Sequence, residues 1–197
     1  MLKRFTDILF AFAGLIILMP VFLIIAILIL ADSSGDVFYR QLRIGLGGSE
    51  FILYKFRTMF ADADKRGLLT VGMRDSRVTK IGYYLRKYKL DELPQLYNVL
   101  IGDMSIVGPR PEVPKYVAKY NEHELKVLSV RPGLTDYASI EYSNENEILA
   151  KSSNPEETYL KEIMPAKLAL NSKYIDDMGP ITDLKIIFKT IWKIVAR

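Results

Sequence analysis

The sequence contains no cysteine and a single histidine, His123. Without cysteine there is no disulfide, no thiolate nucleophile and no Cys-based zinc site. One histidine excludes a histidine metal cluster or proton relay, and its setting in Asn121-Glu-His-Glu124 reads as solvated surface. Charge of one sign is also in short supply: 27 Lys and Arg face 23 Asp and Glu, a net +4. Nucleic-acid binding needs a dense basic stripe, so that class is excluded, whereas docking on an anionic membrane leaflet is compatible. Chemistry is left to carboxylates, basic residues, hydroxyls or a carboxylate-bound metal.

The 197 residues amount to about one domain, and 50% of them are hydrophobic. They are unevenly spread. From Ile8 to Ala31, 24 residues carry no charge, and about 20 apolar residues suffice to cross a bilayer as helix. The run exceeds the about 7–15 residues of a signal-peptide core, which argues against a cleaved leader. Pro20 lies near its middle, where it removes a helical hydrogen bond and kinks the chain. Lys3 and Arg4 precede the run and Arg40 and Arg43 follow it, so basic residues assign no polarity. A re-entrant helix bent at Pro20 and a spanning helix fit these residues equally. The expected division is a membrane helix over 1–31 and a water-facing domain over 32–197.

That second part is expected to be α+β and predominantly helical. Val37–Tyr39 and Phe51–Phe56 read as strands joined at Leu46-Gly-Gly48. Val78–Lys89, Leu93–Leu100 and Pro165–Asp176 read as helices, and Asn154-Pro155 as a capped helix start. From Asp183 to Arg197, Lys185, Lys189, Lys193 and Arg197 recur every fourth residue beside a wide apolar face carrying Trp192. Next to a membrane segment, that pattern fits an interfacial amphipathic helix. Trp192, Tyr83, Tyr84 and Tyr88 are either interfacial anchors or core residues.

Candidate chemistry concentrates between Arg86 and Pro111. Asp91 and Glu92 are adjacent carboxylates just before an expected helix start, where partial positive charge keeps a carboxylate ionised. An ionised, positioned Asp can act as a nucleophile toward a phosphoryl group, and a neighbouring Glu can hold Mg²⁺. Arg110 lies between two prolines, and Arg131 precedes Pro132. A guanidinium on a stiff backbone suits bidentate phosphate contact. Lys55 and Arg57, alternate residues of a strand, add two cations on one face.

The segments Lys55-Phe-Arg-Thr-Met59, Asp75–Gly82, Leu90-Asp-Glu-Leu-Pro-Gln-Leu96, Asn98–Ser105, Val107-Gly-Pro-Arg-Pro111 and Arg131-Pro-Gly133 together resemble the bacterial sugar transferases, the small monotopic phosphoglycosyl transferases that initiate lipid-linked glycan assembly. The resemblance covers residues 1–135. It implies that Asp91 attacks the sugar-bearing phosphate of a UDP-sugar, releasing UMP. The phosphosugar then passes to a polyprenol phosphate, with undecaprenyl phosphate the expected acceptor. It also implies Mg²⁺ as cofactor, held by Glu92 with Asp91, and a re-entrant helix broken near Pro20. The location implied is the cytoplasmic face of a bacterial inner membrane. Partners would be membrane lipids and downstream glycosyltransferases of an O-antigen, capsule, exopolysaccharide or glycoprotein pathway. Arg86, Arg110 and Arg131, then Lys55 and Arg57, are the candidate phosphate contacts.

Two departures stand out: Met19-Pro20 where the family often has Ser-Pro, and Leu134–Ser139 after the Arg-Pro-Gly segment. The acidic stretch from Asn144 to Pro165 is a candidate for shaping sugar choice, with Asp136 or Glu141 meeting an amino sugar. Asp103 reads as structural. Two other functions fit parts of the pattern: a membrane-anchored scaffold without catalysis, and a glycosyltransferase that releases UDP.

Overall fold

The computed structural model describes residues 2–61, 63 and 75–196. A single apolar helix, α1 (Leu2–Asp32), opens the chain and stays helical through Pro20. At about 1.5 Å per residue it is about 46 Å long, against a hydrocarbon layer about 30 Å thick. It does not stand off from the rest. Asp7, Ala11, Ile25 and Ile29 are buried, Gly14 faces Leu96, and Leu15, Leu18 and Phe22 pack on the adjoining core. These positions recur every three or four residues, one stripe of a helix docked along its length. The other faces expose Phe5, Phe10, Ile17, Leu23 and Ile27.

Both ends of α1 are tied to the same body. Near its start, Lys3 Nζ donates to Asp183 Oδ2 at 2.6 Å and to the Val107 carbonyl at 2.9 Å. Arg4 donates to the Val99 and Leu100 carbonyls, and buried Asp7 accepts from Ser105 Oγ and Ile106 N. At its end, Asp32 Oδ2 accepts from Ile81 N at 2.9 Å. Lys3 and Arg4, the basic residues ahead of the apolar run, are therefore docking contacts.

Strands β1 (Phe38–Ile44) and β2 (Glu50–Phe56) form an antiparallel hairpin, with Gln41 opposite Leu53. Their turn needs the positive φ of Gly47 (64°) and Gly48 (81°). Burial of Leu53 and Phe56 is worth about 1.5–3 kcal/mol each. Helix α2 (Lys80–Lys87) is capped by Thr79, whose Oγ1 accepts from Gly82 N. Gly82 is required there: a Cβ would lie 2.0 Å from the Thr58 carbonyl oxygen. That close approach brings α2 onto the end of the hairpin. A 3₁₀ turn at Leu90–Glu92 leads into α3 (Gln95–Ile101).

Strands β3 (Ser105–Val107) and β4 (Gly133–Thr135) pair in parallel. A Cβ on Gly133 would sit 2.0 Å from Gly108 N, so only glycine lets the two Pro-flanked arginine segments cross. Between them lie α4 (Pro114–Val117) and a 3₁₀ turn at Glu124–Ser129. Then follow α5 (Tyr137–Glu141), α6 (Glu145–Ala150) and α7 (Pro155–Thr158), the last capped by Asn154 as its sequence indicates. A π-helical turn at Tyr159–Ile163 feeds α8 (Met164–Asp177), and α9 (Pro180–Val195) closes the chain.

The expected α+β, mainly helical character holds. In α9, Ile186 is buried while Leu184, Phe188, Ile191, Trp192 (74% exposed) and Val195 face outward. The expected lysine stripe divides: Lys185 and Lys189 are exposed, but Lys193 turns inward to the Ile140 carbonyl. Arg197 lies outside the described residues. Of the tyrosines, Tyr84 and Tyr88 are exposed, and Tyr83 packs edge-on against Tyr84.

Candidate active site

A cavity of about 470 Å³ opens between the hairpin, the Leu90–Glu92 turn and helices α5, α8 and α9. Its wall includes Lys55, Arg86, Lys89, Asp91, Glu92 and Arg110. The structure thus joins four of the expected functional segments. β2 supplies Lys55, α2 supplies Arg86, the 3₁₀ turn supplies the acidic pair, and the Pro-flanked segment after β3 supplies Arg110. Lys89, at φ 57°, is the one described non-glycine residue with positive φ. That left-handed residue ends α2 and turns the chain sharply into Leu90-Asp91-Glu92; such strain clusters at functional sites.

The two carboxylates are placed differently. Glu92 receives Arg110 across both oxygens, Nη1 to Oε2 at 3.2 Å and Nη2 to Oε1. Lys55 Nζ and Lys89 Nζ lie 3.6 and 3.8 Å from Oε1. Burial alone would raise the Glu92 pKa, but Arg110, with Lys89 and Lys55, outweighs it and holds the group well below the usual carboxylate range. Asp91 is buried, and its Oδ1 has no hydrogen-bond partner among the described residues. Burial, then the charge of Glu92, raises its pKa against the pull of Lys55, Lys89 and Arg86. The sequence argument expected a helix start to keep Asp91 ionised. Asp91 instead sits in the 3₁₀ turn ahead of α3, where desolvation wins.

Burial lowers Lys55 to about 8 and also lowers Arg86. Arg86 Nε donates to Thr58 Oγ1 at 3.1 Å. Arg110 is fixed through its backbone as well: its N–H donates to Asp136 Oδ2 at 3.0 Å, and Asp136 Oδ1 accepts from Ser139 N.

Other expected site residues go elsewhere. Arg57 does not share the cavity face with Lys55. It lies past the end of β2 and donates to Ser33 Oγ and to the carbonyls of Ser33, Ser34, Gly35 and Asp36. It latches the turn after α1. Arg131 is exposed, donates to the Gly102 carbonyl at 2.9 Å, and is not part of the cavity wall. Asp136 is fully buried with both oxygens engaged, so it positions Arg110 rather than meeting a sugar; Glu141 is exposed. Asp103 accepts a hydrogen bond from Asn98 and is not part of the cavity wall, and His123 is exposed. Lys89 and the cavity-facing residues of α8 carried no sequence signal, because only the tertiary fold brings them to this cavity.

No group of three or more His, Asp and Glu suited to a metal occurs among the described residues. Magnesium, however, is commonly held by one or two carboxylates together with substrate phosphates. The unpartnered Oδ1 of Asp91 fits that arrangement, whereas Glu92 gives both its oxygens to Arg110.

A cavity that sets an unpartnered carboxylate among fixed cations, on a body with a docked apolar helix, is an arrangement suited to phosphate chemistry beside a lipid surface. The bacterial sugar transferase family model matches residues 1–197, and the chain belongs to that family. Over 132 residues it is 46% identical to a Bacillus subtilis (strain 168) protein provisionally named undecaprenyl-phosphate N-acetylgalactosaminyl 1-phosphate transferase, covering 67% of this chain and 73% of that one. It is 35% identical to the UDP-glucose:undecaprenyl-phosphate glucose-1-phosphate transferase of Escherichia coli (strain K12), covering 98% of this chain but 40% of that one. It is also 35% identical to the exopolysaccharide production protein ExoY of Rhizobium meliloti (strain 1021), covering 97% and 84% respectively.

Proposed function

We propose that this protein transfers a phosphosugar from a UDP-sugar to a polyprenol phosphate, undecaprenyl phosphate being the acceptor named for its relatives. The observation that carries the reading is Asp91: a buried carboxylate with one unpartnered oxygen, in a cavity walled by Lys55, Arg86, Lys89 and Arg110.

The diphosphate of the donor binds among these cations, which favour the Asp91 carboxylate against the effect of its burial, and Asp91 reacts in that ionised form. An Asp91 carboxylate oxygen attacks the sugar-bearing phosphorus. A P–O bond forms to Asp91, the P–O bond to the bridging oxygen breaks, and UMP leaves with that oxygen. A phosphate oxygen of the polyprenol phosphate then attacks the same phosphorus. The Asp91–phosphorus bond breaks, the carboxylate is restored, and a polyprenyl diphosphosugar is formed. Glu92, paired with Arg110, holds that guanidinium against the cavity rather than acting as nucleophile. Mg²⁺ held by Asp91 together with the substrate phosphates would neutralise charge on the diphosphate, whereas Glu92, expected from the sequence to hold the metal, is taken up by Arg110.

The docking of α1 at both ends supports a helix that enters and leaves the membrane on one face, although the break expected near Pro20 is not seen and the helix runs on through it. A helix that crossed the bilayer would carry its two ends to opposite faces, yet Lys3 and Asp32 contact one body. With α9 exposing Phe188 and Trp192 as well, the domain from residue 32 onward sits partly in one leaflet. We place it on the cytoplasmic face of a bacterial inner membrane, where UDP-sugars are found, at the first membrane step of a polysaccharide pathway feeding downstream glycosyltransferases.

The test is nucleotide release from purified protein given Mg²⁺, undecaprenyl phosphate and a panel of UDP-sugars. UMP from at least one sugar, lost in Asp91→Asn, is the expected result. Release of UDP would overturn the covalent mechanism, and no nucleotide from any sugar would favour a scaffold.

A further inference from the structure

The cavity extends well beyond the acidic pair. Its far wall is built by α5, α6, α8 and α9, with α5 packed against both α8 and α9. Met164, Lys167, Leu168 and Asn171 recur at helical spacing on α8 and all line it. The π-helical turn at Tyr159–Ile163 sets the register of that face; such turns often sit at functional sites.

Most polar groups on this wall are already satisfied. Lys167 Nζ pairs with Glu145 Oε2 at 2.7 Å, Thr135 and Thr190 share a hydrogen bond of 2.7 Å, and Lys193 donates to the Ile140 carbonyl. Two are not. Asn171 is 4% exposed and its carboxamide oxygen has no partner among the described residues; the hydroxyl of Ser139, on α5, is likewise buried and unpartnered. Orphaned buried polar groups are costly and rare in folded proteins, so two in one cavity wall need an explanation. A ligand rich in hydroxyl or amide groups supplies it. The four cations around Asp91 and Glu92 match a diphosphate, whereas this wall, with its ion pair closed on itself, matches a neutral polyhydroxylated ring.

We propose that Asn171, with Ser139, forms the sugar-recognition subsite, its carboxamide hydrogen-bonding a hydroxyl or acetamido group of the donor sugar. This rests on the phosphosugar-transfer reading above. It moves sugar choice from the acidic 144–165 stretch to α8 and α5. A site that hydrogen-bonds one substrate group discriminates against analogues lacking it, because its own polar atoms are then stranded.

The experiment compares wild type, Asn171→Ala, Asn171→Leu and Ser139→Ala in UMP release from a panel of UDP-sugars, with UMP inhibition and thermal unfolding measured alongside. Expected is a loss of about tenfold or more in kcat/KM for the preferred sugar and little for poorly used sugars, flattening selectivity. UMP inhibition stays unchanged, and Asn171→Leu unfolds at the same or a higher temperature, since an unpaired polar group is removed. An equal loss for every UDP-sugar overturns the proposal. Weakened UMP inhibition also overturns it, pointing to the uracil, and a lower unfolding temperature shows the carboxamide to be structural. If wild type releases no UMP at all, the transfer reading fails by itself. Calorimetric binding of the same UDP-sugars to wild type and Asn171→Ala then decides the subsite separately: sugar-dependent weakening supports it, and unchanged binding overturns it.

Discussion

Arg110 lies across Glu92, one guanidinium nitrogen on each carboxylate oxygen, although the residues are 18 positions apart. The pairing makes two adjacent carboxylates unlike. Glu92 is neutralised and held ionised, while Asp91 is left buried and unpartnered. Division of roles between two carboxylates through unequal surroundings is a general means of assigning their chemistry.

Removing Arg110 strands Glu92. Arg110→Ala is expected to cost about 3 kcal/mol, near the lower end for a broken buried pair because Lys55 and Lys89 remain nearby. Glu92→Gln in the same chain should recover most of that stability without recovering UMP release. Urea unfolding of the single and double variants checks this.

Asp91→Asn should reduce UMP release by more than about 10³-fold, as loss of a nucleophile does. Its effect on stability has the opposite sign. Burial raises the folded-state pKa of Asp91 above its unfolded value, so the group favours folding at low pH and loses that contribution as pH rises through the folded value. The variant should therefore unfold at a higher temperature than wild type near neutral pH. The difference should shrink as pH falls toward the ordinary carboxylate range.

Lys55 titrates at about 8 in the free protein. As pH rises through that value its charge is lost, and kcat/KM for the nucleotide sugar should fall on the alkaline side. Lys55→Arg keeps its charge, so the alkaline limb should move beyond pH 10 or disappear. A limb unchanged in that variant would assign the titration to another group.

Two arginines that look alike in sequence should behave differently. Arg57→Ala removes the latch on the Ser33–Asp36 turn and should destabilise the fold severely, by about 3 kcal/mol or more. Arg131→Ala removes one exposed contact and should stay within about 0.5–1 kcal/mol, with KM for the donor unchanged. A large KM rise in Arg131→Ala would return that residue to the phosphate site.

The absence of cysteine permits a clean topology test. Leu2→Cys and Asp36→Cys place single exposed thiols at either end of α1. In oriented vesicles, an impermeant maleimide should label both from the same side. Labelling from opposite sides would establish a spanning helix.

Much of the local structure was legible in the chain itself. The Leu46-Gly-Gly48 turn, the Asn154 cap and the apolar run each depend on near neighbours, so spacing and residue type specify them. Asp91, Glu92 and Arg110 could be nominated because their residue types and stiff flanks limit what they can do. Arg57 and Arg131 were misplaced for a shared reason. An arginine's long side chain can reach either a ligand or a backbone turn, and sequence spacing contains no information about which is closer.

The sequence alone determined that an apolar helix would seek an apolar environment and that catalysis would rest on carboxylates and cations, since cysteine and clustered histidine are lacking. Tertiary structure alone decided which carboxylate stays free and which cations surround it. It also decided that both ends of α1 return to one body and that α8 completes the cavity. Those outcomes depend on burial and on distances between residues far apart in the chain. Desolvation and charge pairing, which set the properties of Asp91 and Glu92, exist only once those residues have been brought together.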